Sequence, residues 1–171
     1  MEQAVVNAAS CFGPAPSAAD AAPTDRAPGF EKEVIEQHGV ATDLSWSQSF
    51  HGSEQWRLVQ RLIQELGDSA TQAKAVEGLL GIGKGGVGPI ILQMDDRRSL
   101  GARSLTVPAP LGSFEPVAHY QPELVVDALD AIVAHITSES MGQVYNGGST
   151  AKRRNAVNAW RVWLYHNRPA R

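Results

Sequence analysis

Residues 81–94 read GIGKGGVGPIILQM, and this stretch limits what the rest of the chain can become. A glycine-rich loop that cradles phosphates is fed by a strand. It also carries a lysine and then a Ser or Thr after its last glycine, to reach the phosphates and to hold magnesium. Gly88 is followed by Pro89 and Ile90, so both groups are missing. The upstream segment, with Ala73, Val76, Leu79 and Leu80, repeats at helical rather than alternating spacing. A helical grammar accounts for every residue instead. Gly81 and Gly83 suit a helix end, where a residue at positive φ closes the last turn. Pro89 suits the first turn of a second helix, and Val87 with Ile91 is spaced as a hydrophobic staple. The stretch therefore predicts helix, glycine turn, proline, helix, a tight helical hairpin.

The same grammar extends outward. Ser53 is placed to cap a helix whose stripe is Trp56, Val59, Leu62, Ile63 and Leu66, with Gly67 at its end. Asp68 or Ser69 should cap the next helix, which runs to about Leu80. The segment from Pro122 puts Val125, Leu129, Ile132, Val133 and Ile136 on one face. Ser149 should cap a last helix, TAKRRNAVNAWRVWLYHN, with Ala156, Val157, Trp160, Trp163 and Leu164 as its apolar side. Between them, residues 96–121 hold Pro108, Pro110 and Pro116 and read as a long irregular loop with an extended run at RSLTV. Residues 30–40 predict a short helix ending at Gly39, with Phe30, Val34 and Ile35 as its candidate buried residues. Trp46 and Phe50 read as aromatic anchors in a following loop.

Two domains of behaviour follow. Residues 1–29, rich in Ala, Pro, Ser and Asp, have linker composition and predict a flexible arm; residues 30–171 predict one helical domain. Cys11 is the only cysteine, which excludes an internal disulfide and a multi-cysteine zinc site. No apolar run approaches the roughly 18 residues needed to cross a bilayer, so no transmembrane span and a cytoplasmic address are expected. The small residues before Cys11 resemble those preceding a lipidated cysteine. A lipid-anchored or exported form is the alternative if a signal lies upstream of Met1.

The helical half of the chain resembles HEAT-repeat (armadillo-like) proteins. In that family an Ala/Leu-rich helix ends in an Ile-Gly turn, and a Val-x-Pro start opens a second helix closing in Asp. Ala75, Leu79, Leu80, Ile82, Gly83, Val87, Pro89 and Asp95 stand in those places. The segment ALDAIVAHIT through NAWRVWL is similar to a terminal segment of some bacterial HEAT-repeat proteins, with Ile136, Thr137, Gly142 and Trp160 to Trp163 matching. The resemblance spans residues 53–95 and 128–164. It implies an all-α fold, a short α-solenoid of helical pairs, and a non-catalytic protein-interaction or scaffold role without a cofactor.

Charge is the remaining clue to partners. Residues 1–139 carry nine Lys and Arg against eighteen Asp and Glu, while residues 140–171 carry six Lys and Arg and no acid. Lys152, Arg153 and Arg161 on the last helix, with Arg97 and Arg98, are the candidate partner-contact residues. The expected partner is another protein. Nucleic acid bound by the basic C-terminal helix is the first alternative. A lyase-like enzyme on the same scaffold is the second, with acid–base work by His119, Tyr120 and Glu123. No pair of the five histidines has metal-ligand spacing on a helix, so no metal site is expected.

Overall fold

The computed structural model describes residues 41–109 and 114–167. The arm, Cys11 and the helix expected at 30–40 lie outside the described residues. Among the described residues five α-helices carry the fold: α1 Glu54–Glu65, α2 Gln72–Ile82, α3 Val87–Leu92, α4 Val125–Thr137 and α5 Thr150–Asn167. A two-stranded antiparallel sheet, β1 Leu105–Pro108 with β2 Val117–Tyr120, lies between α3 and α4, pairing Leu105 with Tyr120 and Pro108 with Val117. The chain is therefore mostly helical with one small sheet, and the segment read as an irregular loop contains a β-hairpin.

α1 forms as its sequence dictates. The Ser53 hydroxyl accepts the Trp56 N–H at 3.0 Å, Glu54 sits in the positively polarised first turn, and Val59, Leu62 and Ile63 are buried. α2 starts later than expected. Asp68 spends its carboxylate on the Ala70 N–H, inside the turn, and Thr71 becomes the residue before the helix. The glycine stretch also departs from expectation. Gly83 does take the positive-φ position that ends α2 (φ 63°), but residues Gly83–Gly86 then wind as a 3₁₀ turn straight into α3. α2 packs chiefly on α1, whereas α3 packs on α4 and also on α1 and α5, and the two pack little on each other, so this is not a helical hairpin. The cause lies in α3 itself: every residue from Val87 to Leu92 is buried, which draws the segment into the core instead of back along α2.

The 21-residue run Gln72–Leu92 is thus continuous enough to pass, by length and composition, as a membrane-crossing helix, with mean hydropathy 1.3 over an 18-residue window. The sequence reading of separate short apolar runs did not anticipate this. Its apolar side is used here in packing, and 56% of the window is buried inside the protein.

α4 is the other central element. Expected to bury one face, it buries every residue from Val125 to Val133, acids included. A helix enclosed on all sides is a core helix. It packs on α2, α3, α5 and β1. The first N–H groups of α4 are satisfied by the extended chain before the hairpin: Val125 N donates to Arg98 O and Val126 N to Asp96 O, both at 3.0 Å. On the other side of that chain, buried Gln72 reaches across from the start of α2. Its amide nitrogen donates to Ala102 O at 3.0 Å and Ser104 O at 2.8 Å, and its amide oxygen accepts from Ala102 N. The aromatic anchors pack as read, but on a 3₁₀ helix, Ser45–Phe50, rather than in a loop: Trp46 and Phe50 lie partly buried against the core, Trp46 edge-on to Tyr165 at 5.5 Å.

Candidate functional site

The two ends of α4 concentrate the polar chemistry. At its N-terminal end, Asp127 is fully buried. One carboxylate oxygen accepts the backbone N–H groups of Glu123 (3.1 Å) and Leu124 (3.0 Å), and so closes the helix start. Arg153, brought in by α5, forks onto both oxygens at 2.7 and 2.8 Å and reaches Glu123 at 2.8 Å. The Asp127 hydrogen bonds hold the Arg153 guanidinium above its ordinary pKa, against its desolvation. One turn further, buried Asp130 accepts the Trp160 indole N–H and the Val144 N–H, each at 2.7 Å. Gly142 allows the α4–α5 loop to approach this closely, because a Cβ there would collide with the Asp130 carboxylate and with the Ala156 methyl.

Such a cluster does structural work. A charge removed from water must be paired and its lone pairs occupied. Here four hydrogen bonds from backbone and arginine meet the Asp127 carboxylate. The sequence held a partial signal for it: Asp127 and Asp130 are the only polar residues between 125 and 133, and a helix apolar on all its other positions is a core helix whose acids require donors. The donors themselves, Arg153 and Trp160, are not marked as such by any local pattern.

The C-terminal end of α4 is open. Ser138 takes a left-handed conformation (φ 61°) and ends the helix. A cleft of about 600 Å³ lies between this end, the hairpin and the α4–α5 loop. Val107, Pro108 and Ala131 supply apolar wall, while Tyr120 and Tyr145 line it with rings 4.8 Å apart. His135 and Glu139 stand on the helix side. Ala109 N donates to Pro116 O just beyond the sheet, and Phe114, past that pair, is wholly exposed.

The candidate contact arginines do not form one surface. Arg97 is paired with Asp95 at 2.7 Å. Arg98 is committed within the fold, to Asp96, to Gln64 Oε1 at 2.8 Å and to the Ile63 carbonyl at 3.2 Å near the end of α1. Its hydrogen bond with Asp96 raises its pKa. Arg153 is the buried partner of Asp127 and so is withdrawn from the surface on which the sequence reading placed it. Arg161 is half-buried, donating to Ala41 O at 3.3 Å. Desolvation lowers its pKa, with Asp95 opposing, and its Nε is buried without a hydrogen-bond partner among the described residues. Of the basic α5 residues in the described region, Lys152 and Arg154 are exposed.

The acid–base cluster read from His119, Tyr120 and Glu123 is dispersed as well. His119 and Tyr120 are neighbours on a strand and so point oppositely. The His119 ring lies 3.1 Å from the Thr106 hydroxyl, while Glu123 holds Arg153. Among the described residues no group of three or more His, Cys, Asp or Glu is placed to hold a metal ion. Comparison with protein-family models, curated proteins and solved structures returned no match.

Proposed function

We propose that the protein is a non-catalytic protein-interaction or scaffold module, built as a short HEAT-type stack with a β-hairpin inserted in it. The order of helix contacts supports the stack. α1 packs on α3 and α3 on α5, α2 packs on α4, and each odd-numbered helix also packs on its even-numbered neighbour, apart from the α2–α3 step. That is the neighbour pattern of two layers of helical pairs, in which side chains not needed for packing are free to face a partner.

The observation that carries the interaction reading is the hairpin. Fully exposed Phe114 stands shortly before β2, the strand whose Tyr120 lines the paired-tyrosine cleft. Aromatic residues, phenylalanine included, are enriched at protein interfaces. A photo-crosslinking amino acid placed at position 114 of the full chain should give discrete higher-mass adducts in the native cells, and Tyr145→Ala should abolish them. The same group at position 74, exposed on α2, should give none. Equal adducts from both positions, or none from position 114, would defeat the reading.

A further inference from the structure

We propose that the partner enters this cleft with a cationic side chain, an arginine or lysine on an extended peptide; the inference rests on the interaction reading above. Charge complementarity carries it. From Ser104 to Ala151 the sequence has no Lys or Arg, and its acids are Glu115, Glu123, Asp127, Asp130 and Glu139. Glu123 and Asp127 are taken by Arg153, and Asp130 by Trp160 and Val144. Glu139 is exposed and lines the cleft.

Two further features act in the same direction at the same place. The thirteen-residue helix α4 ends there, and the last turn of a helix carries the negative end of its dipole. The two tyrosine rings offer aromatic faces, which attract a guanidinium or ammonium through the ring quadrupole. Apolar wall from Val107, Pro108 and Ala131 suits the methylene stem that both side chains carry. The volume, about 600 Å³, falls within the range of roughly 300–1,000 Å³ typical of ligand clefts. It admits such a side chain with a few flanking residues. His135 also lines the cleft; the test is run at about pH 8, where carboxylates are ionised and the guanidinium and ammonium groups of the peptides keep their charge.

The experiment titrates the isotope-labelled full chain with three capped heptapeptides of glycine and alanine, whose central residue is arginine, lysine or norleucine, and follows the amide signals by NMR. The arginine and lysine peptides should shift Tyr120, Ser138, Glu139 and Tyr145, with norleucine at least about fivefold weaker. Glu139→Gln should weaken the arginine peptide about threefold, and added salt should weaken it further. Norleucine matching arginine at the same signals, or arginine peptides shifting other regions only, overturns the cationic assignment. It would leave crosslinking from position 114 intact. Loss of crosslinking is the separate failure of the interaction reading.

Discussion

The two ends of α4 treat acidic residues in opposite ways. At the first end Asp127 and Asp130 are sealed from water, and each oxygen is occupied by a donor from backbone, Arg153 or Trp160. At the other end Glu139 is exposed beside a cleft, and that stretch of chain supplies no Lys or Arg to meet it. The same chemical group therefore fixes helix α5 to the core in one place and faces the outside in the other. Burial and pairing decide which, and neither is a property of the residue type.

The comparison can be broken most directly at the sealed end. Asp127→Ala leaves Arg153 buried without its main counter-charge and frees the N–H groups of Glu123 and Leu124. The expected loss is about 3–5 kcal/mol in urea unfolding. A loss below about 1 kcal/mol would mean that the cluster does not hold α5 in place. Trp160→Phe should come next, at about 1.5–3 kcal/mol, since it withdraws a hydrogen bond from a buried carboxylate while keeping most of the apolar bulk. Glu139→Gln should be smallest, within about 0.5 kcal/mol, as for an exposed side chain away from packing. Were it to unfold the protein as readily as Trp160→Phe, the far end of α4 would be as structural as the near one.

Much of the fold could be read from local pattern. α1 with its Ser53 cap and α5 from Thr150 to Asn167 follow from periodicity and capping chemistry, both of which act within a turn or two of sequence. The extended run at RSLTV anticipates β1. The glycine stretch misled, because a turn between packed helices and a 3₁₀ step into a buried helix ask the same of glycine locally. Only the burial of Val87–Leu92 separates them. The candidate site was less legible still. Arg153 reads as one of several basic residues on a polar face, and its carboxylate stands 26 positions earlier in the chain. The cleft joins β2, the end of α4 and the loop holding Tyr145, none of which carries a motif.

The Gln72 clamp has a consequence for solubility. An extended segment with vacant amide and carbonyl groups is a template on which a foreign strand can grow. Where the chain bends toward β1, the Ala102 N–H and carbonyl and the Ser104 carbonyl are already taken by a side-chain amide that mimics a neighbouring strand while belonging to a helix. At these two residues the approach to the hairpin is capped from within, and polymerisation along it loses its first rung.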